Sequence, residues 1–246
     1  MAARRDHLQT ILGVKELKRW QIVLSQVLCE FLGALLFISL SSIAGTGKRN
    51  LVAEGFADGI FLAAVFHIFG HVSGGHFNPA VTIGMYIYGD IKLVKGLLYI
   101  GSQALGGIAG SYIAYWSVPE STRGMLGATI PHEDLSIGQI VGLEILMTFV
   151  LVSVILICKR RDGFLTALTV GLSLTACILA TSFYTCSLNP VRTLGPAVVM
   201  GYWEHHWVYW VSPISGGILA GLFHRILYSI YLRSNRMSST FSLNKK

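Results

Sequence analysis

Long apolar stretches alternate with short polar connectors along almost the whole chain. Six of these stretches are long enough to cross roughly 30 Å of hydrocarbon as helices of about 20 residues. They lie near residues 21–43, 51–71, 93–116, 136–158, 164–183 and 207–231. Two further apolar stretches, 79–88 and 190–200, have only about half that length and are too short to span a bilayer. The pattern predicts an all-α membrane protein with six spans and two short segments that enter the membrane without crossing it.

Composition supports a membrane protein. The chain has 246 residues, of which 53% are hydrophobic and only 13% are charged, and its mean hydropathy is +0.61. The net charge of +7 could indicate nucleic-acid binding, but the basic residues lie at the chain ends and in short connectors, not in a folded basic domain. We therefore expect the lipid bilayer as partner and no nucleic acid.

The cysteines predict neither a disulfide nor a metal site. Cys29, Cys158, Cys177 and Cys186 form no pair with the spacing of metal ligands. No other cluster suggests a cofactor, so none is expected.

The distribution of Lys and Arg predicts the topology. Fifteen of these residues fall in the two chain ends and the second and fourth connectors, whereas three fall on the opposite side and Arg192 lies in a short segment. Basic residues concentrate on the cytoplasmic side of membrane proteins. Both termini are thus predicted to be cytoplasmic, as tails at 1–20 and 232–246 of a single domain covering 1–246, which requires an even number of spans.

An internal repeat relates the two halves of the chain. The motif NPAVT at 78–82 matches NPVRT at 189–193 with an offset of 111 residues, and Glu30 matches Glu144 with an offset of 114. Each half holds three spans and one short segment. Because three is odd, the second half enters the membrane from the opposite side, so the repeats are inverted. The repeats cover about 21–116 and 136–231.

Small residues four positions apart predict close packing of two spans. Gly106 with Gly110 and Gly217 with Gly221 follow this pattern. It allows helix backbones to approach each other within a membrane.

Each short segment begins with a helix-start signature. Asn is a preferred N-cap and Pro is favoured at the first helical position, as in Asn78–Pro79 and Asn189–Pro190. By the inverted symmetry, the two N-termini are predicted to meet near the middle of the bilayer. Irregular backbone at that depth is tolerated only where it is buried in protein or lines a watery cavity.

This arrangement predicts a pore for small neutral molecules. The amides of Asn78 and Asn189 can donate hydrogen bonds to a passing oxygen, while carbonyls of the residues before them can accept. Those carbonyls belong to Gly74, Gly75 and His76 in the first loop and to Thr185, Cys186 and Ser187 in the second. Cations are disfavoured by the two positive helix ends and by the cost of desolvation.

The residues that carry this pattern also resemble a known family. SGGHFNPAVT, SLNPVRTLGPA and YWVSPISGG at 209–217 are similar to the aquaporin (major intrinsic protein) family of water and glycerol channels. The resemblance implies six tilted helices with two half-helices forming a seventh pseudo-span, and a homotetramer with one pore per protomer. We expect a multi-pass protein of the plasma membrane. The resemblance also implies that Glu30 and Glu144 accept hydrogen bonds from the backbone of the two loops.

Several positions resemble the water-selective members more than the glycerol channels. Thr193 stands where glycerol channels typically have Asp, Ala197 follows Gly–Pro, and Tyr209–Trp210 is the aromatic pair usual in water channels. The connectors are also short. Water is therefore the expected solute.

The outer constriction departs from that resemblance. Family spacing implies a selectivity filter made of Asp58, Cys177, Cys186 and Arg192, whereas a typical water channel has Phe and His at the first two positions. Smaller residues predict a wider, more polar opening that also admits glycerol or urea.

Some roles stay open at this point. Asp58 either faces the bore opposite Arg192 and forms an ion pair that gates or narrows the opening, or it faces a neighbouring helix. Val191, where the family usually has Ala, is expected to serve packing more than to narrow the pore. His67 and His71 are expected to be satisfied interior histidines.

Two functions other than a passive channel are also consistent with the sequence. One is a proton-coupled or ion-conducting transporter that uses Asp58 and the two glutamates. The other is a junctional membrane protein with weak water flux. An enzyme is not expected, because Glu30 and Glu144 have no nucleophile or metal set near them in the sequence.

Overall fold

The structure is a computed structural model. It describes residues 20–47, 50–158, 163–181, 183–184 and 186–243, with side chains described as far as residue 232. The basic N-terminal tail, the basic connector at 159–161 and Thr185 lie outside the described residues.

All regular secondary structure in the described residues is helical. In chain order the helices are α1 (Trp20–Ala44), α2 (Leu51–Ser73), α3 (Pro79–Tyr88), α4 (Leu93–Ser117), α5 (Glu120–Arg123), α6 (Ile137–Cys158), α7 (Phe164–Ala180), α8 (Pro190–Met200) and α9 (Val208–Leu243). The two half-length helices α3 and α8 occupy the predicted residues, and six long helices occupy the six predicted spans. The predicted fold class is confirmed.

Two helix ends differ clearly from the prediction, and one short helix was not predicted. Helix α7 ends at Ala180, because the chain turns at Thr181, whose N–H bonds back to Ile178 and Leu179. Helix α9 continues to Leu243, since no Pro or Gly follows residue 221 to end it. The one-turn helix α5 was not predicted, because four residues within a connector carry no periodic pattern.

The outer faces of the long helices are apolar. Leu105, Trp116 and Leu165 are each more than 60% exposed, which suits contact with lipid and not with water. Among the described residues, α1, α2 and α6 are by length and composition apolar enough to cross a membrane, and α7 is apolar with 17 residues.

The helices pack with an approximate two-fold relation between the repeats. Helix α1 packs against α4 in the first repeat, as α6 packs against α9 in the second. Each half-helix crosses over: α3 packs on α9 and α8 packs on α4. The two repeats are thereby interlocked around the half-helices, as expected for inverted repeats.

Glycines make these crossings close. A Cβ on Gly106 or Gly110 of α4 would collide with backbone carbonyls of α1, and one on Gly217 or Gly221 would collide with carbonyls of α3. The small-residue pattern therefore corresponds to direct backbone contact. This contact fixes α3 close to the molecular centre.

Candidate functional site

The N-termini of α3 and α8 are capped in the same way. Asn78 Oδ1 accepts from Ala80 N at 2.8 Å, and Asn189 Oδ1 accepts from Val191 N at 3.1 Å. A proline follows each asparagine at the first helical position. Both helices therefore begin where the sequence predicts.

The two capping asparagines also join the loops to each other. Asn78 Nδ2 donates to Leu188 O at 2.8 Å, and Asn189 Nδ2 donates to Phe77 O at 3.0 Å. The half-helix tips thus meet, as predicted. An amide NH2 has two hydrogens, so each asparagine keeps a second N–H beyond this cross-link.

The residue before each asparagine adopts a strained backbone conformation. Phe77 has φ of 48° and Leu188 has φ of 54°, in the left-handed region that residues with a Cβ rarely occupy. The two positions are 111 residues apart, the repeat offset. Such strain persists only where surrounding contacts hold it.

Glu30 supplies those contacts in the first loop. Its Oε1 accepts from His76 N at 3.0 Å and Ser73 Oγ at 2.6 Å, while its Oε2 accepts from Phe77 N at 2.7 Å and Gln103 Nε2 at 2.7 Å. The side chain is fully buried. Four donors thus satisfy this carboxylate without solvent.

Glu144 has the equivalent position in the second loop. Its Oε1 accepts from Ser187 N at 2.6 Å and Tyr184 Oη at 2.9 Å, and its Oε2 accepts from Leu188 N at 2.9 Å. It is also fully buried. Neither glutamate lines the cavity described next.

A narrow cavity of about 20 Å³ surrounds the meeting point. This volume suits about one water molecule at a time. One part of its wall is polar: Asp58, His76, Asn78, Cys186, Ser187, Asn189 and Arg192. The rest is mostly apolar: Phe37, Leu62, Phe77, Val81, Leu151, Ile155, Leu174, Ile178 and Leu188. A polar stripe along an apolar wall can replace the hydrogen bonds of a small solute without binding it tightly.

Three cavities follow one another along α2. Its C-terminal part lines an inner cavity of about 680 Å³, Asp58 and Leu62 line the narrow central cavity, and Glu54 lines an outer cavity of about 150 Å³. At about 1.5 Å per residue, the distance from Glu54 to Gly74 along the helix is about 30 Å, the thickness of the hydrocarbon layer. The narrow cavity therefore lies between two larger cavities along α2.

The four residues of the implied filter do not share one environment. Asp58, Cys186 and Arg192 line the central cavity, whereas Cys177 does not. The Cys177 Sγ lies 3.6 Å from Met147 O on α6, as a donor to that carbonyl. A filter role for Cys177 stays a prediction that this orientation does not support.

Arg192 is positioned by a loop that sequence reasoning missed. Its Nη1 donates to Gly127 O at 2.9 Å and to Thr129 Oγ1 at 3.0 Å, and Thr129 Oγ1 bonds Thr193 Oγ1 at 2.9 Å. The connector between α5 and α6 has no periodic pattern of apolar residues, so the sequence did not predict an ordered loop there. Gly124 and Gly127, with φ of 51° and 67°, are the local signal of an ordered turn, because glycine adopts positive φ readily.

Asp58 faces the bore and not a neighbouring helix alone. It is 4% exposed, lies in the central cavity with Arg192, and is within electrostatic range of that residue. Among the side chains that the structure describes, no direct ion pair joins the two. The position of Asp58 in the cavity agrees with the first of the two alternatives, but the ion pair that this alternative included is not formed between these two side chains.

The predicted carbonyl residues are divided between two cavities. His76, Cys186 and Ser187 line the central cavity, Gly74 lines the inner one, and Gly75 is buried beneath the Phe66 ring. Thr185 lies outside the described residues.

Val191 has the packing role that was expected, whereas the two histidines on α2 do not lie in the interior. Val191 is fully buried and packs against Gly107 on α4, which agrees with a packing role. His67 and His71 are exposed and line the wide inner cavity. The expectation of interior histidines was wrong, because both side chains border this open vestibule, although the His67 ring also contacts Phe164 of α7 edge to face.

Comparisons with known proteins agree with this architecture. The profile of the family described as Major intrinsic protein matches residues 16–224. The chain is 42% identical over 209 residues to Aquaporin-4 of Homo sapiens, covering 79% of this chain and 64% of that protein. It is 36% identical over 228 residues to the Lens fiber major intrinsic protein of Lithobates pipiens, covering 89% of this chain and 86% of that one.

A solved structure shares the fold. The X-ray structure of the aquaglyceroporin from Plasmodium falciparum superposes with a TM-score of 0.75 at 21% identity, covering 82% of this chain and 96% of that chain. The match to human Aquaporin-4 spans 64% of that protein, which is less than two thirds of its length. With the family profile, the inverted half-helices and the paired Asn-Pro motifs in agreement, the chain belongs to the aquaporin, or major intrinsic protein, family.

Proposed function

We propose that this chain is a passive membrane channel for water, with a pore in each protomer and no chemical step. The observation that carries the proposal is the pair of amide-capped helix tips at the narrowest of three cavities along α2. Asn78 and Asn189 hold the solute oxygen there. Family membership supports a channel over an enzyme.

The same tips favour neutral solutes over cations. Helix N-termini carry a partial positive charge of about +0.5 each, and two of them converge beside the remaining amide hydrogens. Arg192 adds a positive charge to the same cavity, which the Asp58 carboxylate offsets in part. A cation would lose its hydration there without an adequate replacement, whereas water gains donors from the asparagines.

Osmotic flux tests the proposal. In stopped-flow light scattering with a sucrose gradient, proteoliposomes should shrink much faster than protein-free liposomes. The flux should be non-saturating and independent of voltage and pH. A saturable, pH- or voltage-dependent flux would support the coupled transporter instead, and membrane insertion without added flux would support the junctional protein.

Two tryptophan variants on α2 test whether water passes through the central cavity. Leu62 lines the cavity, whereas Ile60, two residues away, is 58% exposed on the outer face. Leu62→Trp should abolish most water flux by filling the bore, and Ile60→Trp should retain it. Equal flux in both variants would place the water path elsewhere.

We further propose that the filter admits small solutes such as glycerol or urea. Asp58, Cys186 and Arg192 line it, and Asp58 stands where a typical water channel has the larger Phe. Asp58→Phe should lower glycerol and urea flux several-fold while water flux persists. Cys177→His should have the smaller effect, since Cys177 faces Met147. Unchanged glycerol flux in Asp58→Phe would remove Asp58 from the filter.

The assembly and topology are part of the proposal. We expect a single channel domain spanning 1–246, a homotetramer, a plasma-membrane location and cytoplasmic termini. Support comes from the Lys and Arg distribution and from the exposed apolar faces. Epitope tags at either terminus should be accessible only after the membrane is permeabilised, and native mass spectrometry should give four chains. A tag accessible from outside would contradict the topology.

A further inference from the structure

Two histidines on α2 lie about one helical turn apart beside the wide inner cavity. His67 and His71 are separated by four residues, so their side chains leave the same face of the helix, with about 5–6 Å between Cβ atoms. Both side chains are exposed, and both line the inner cavity of about 680 Å³. Two imidazoles therefore border one open space at a spacing that allows them to bind the same ion.

Both imidazoles have ring nitrogens available. In the part of the chain that the structure describes, neither ring has a hydrogen bond or an ion pair. The centroid of the His67 ring lies 6.2 Å from that of the Phe164 ring, and the two planes meet at 85°. This edge-to-face contact restricts rotation of the His67 side chain, so less conformational freedom is lost when the ring binds a ligand.

We propose that His67 and His71 form a metal site in the inner cavity for divalent transition-metal ions of the Cu²⁺, Ni²⁺ and Zn²⁺ class. Imidazole suits these ions, whereas Mg²⁺ and Ca²⁺ prefer oxygen ligands. Two histidines four residues apart on a helix can bind one ion through both rings, with metal–nitrogen distances of about 2.0–2.1 Å for zinc. The inference does not depend on the proposed channel function.

Water supplies the remaining ligands of the ion. No group of three or more His, Cys, Asp or Glu side chains forms a metal site among the described residues, so the protein provides two ligands and the open cavity provides water. Lys95 also lines this cavity and opposes a cation. Its Nζ lies 5.4 Å from the centroid of the Tyr99 ring, and solvent in the wide cavity screens its charge. The site should therefore bind its ion reversibly.

The test is a Cu²⁺ titration of the full chain, without a histidine tag, in lipid nanodiscs. Electron paramagnetic resonance counts the imidazole nitrogens bound to the ion, which should be two in wild type and one in His67→Gln and in His71→Gln. Loss of a residue that only orients a metal ligand already lowers affinity about 10–100-fold, so loss of a ligand should weaken Cu²⁺ binding by about tenfold or more. The control is His132→Gln, which changes an exposed histidine between α5 and α6 and should keep the wild-type spectrum and affinity.

Each result bears on the inference. A two-nitrogen spectrum that persists in both α2 variants, or one that His132→Gln also removes, would overturn it. Equal competition against Cu²⁺ by Mg²⁺ and by Zn²⁺ would do the same, because it would indicate oxygen ligands. Should one of the α2 variants fail to insert, the other decides the test, since the loss of either ring changes the spectrum. Absence of water flux would instead contradict the proposed channel function and leave this site unaffected.

Discussion

At the residue scale, the two asparagines each have three tasks. The side-chain oxygen caps a helix, one amide hydrogen joins the opposite loop, and the other amide hydrogen is left for the cavity. No other uncharged side chain except Gln offers one acceptor and two donors, and Gln is longer. Asn78 and Asn189 are therefore hard to replace without losing either the cap or the cross-link.

Cys186 should make the channel sensitive to mercurials. Cys186 lines the central cavity, whereas the Cys177 thiol faces Met147 O. Wild-type water flux should be blocked by a mercurial and recovered with excess thiol, and Cys186→Ser should resist the block. Cys177→Ser is the matched control and should remain sensitive. Stopped-flow traces with and without the reagent measure the effect; a blocked Cys186→Ser variant would place the reactive thiol elsewhere.

Single residues show what the sequence could and could not predict. The Asn-Pro motifs located the helix tips, because N-cap and first-turn preferences are local. The orientation of Cys177 and the partners of Arg192 were not predictable, because both depend on side-chain packing between segments far apart in the chain. Exposure of His67 and His71 was missed for the same reason.

At the element scale, the loops depend on buried carboxylates. Glu144 accepts three hydrogen bonds, two of them from the strained second loop. In Glu144→Gln, an amide NH2 would face a donor and leave it unpaired. Each hydrogen bond to a charged group is worth about 1.5–3 kcal/mol, so the variant should unfold at a clearly lower temperature in detergent and lose water flux.

The control for this variant is Glu120→Gln, which changes an exposed carboxylate on α5. It should unfold at the wild-type temperature, since surface charges contribute little. Equal stability of Glu144→Gln and Glu120→Gln would mean that the carboxylate does not hold the loop.

Glycines at the helix crossings should be irreplaceable only where backbones touch. A Cβ on Gly106 would collide with Phe31 O of α1, whereas a Cβ on Gly101 of the same helix meets nothing within 4 Å. Gly106→Ala should lower stability by about 1–3 kcal/mol, and Gly101→Ala should be neutral or slightly stabilising. Thermal unfolding in detergent measures both. A neutral Gly106→Ala would contradict close packing of α1 and α4.

The positions of the helices were the part of the structure that the sequence predicted best. Apolar length gave the six long helices and the two half-helices, because a membrane imposes a minimum span and leaves few alternatives. The extension of α9 and the short α5 were missed, since neither is set by an apolar pattern.

At the scale of the whole molecule, the proposed water path uses three cavities that follow one another along α2. The inner and outer openings hold about 680 and 150 Å³, and the constriction between them holds about 20 Å³. The inverted repeat in the sequence predicted that the half-helices meet, but it could not predict the bore width. That width results from side chains of at least four long helices around the tips.

The temperature dependence of osmotic water flux tests the central claim most directly. If water passes along a hydrated path in which Asn78 and Asn189 replace its lost hydrogen bonds, the activation energy in proteoliposomes should be close to that of water diffusion in bulk. It should also be well below that of protein-free liposomes. An activation energy equal to that of the bare bilayer would mean that no continuous water path runs between the half-helix tips.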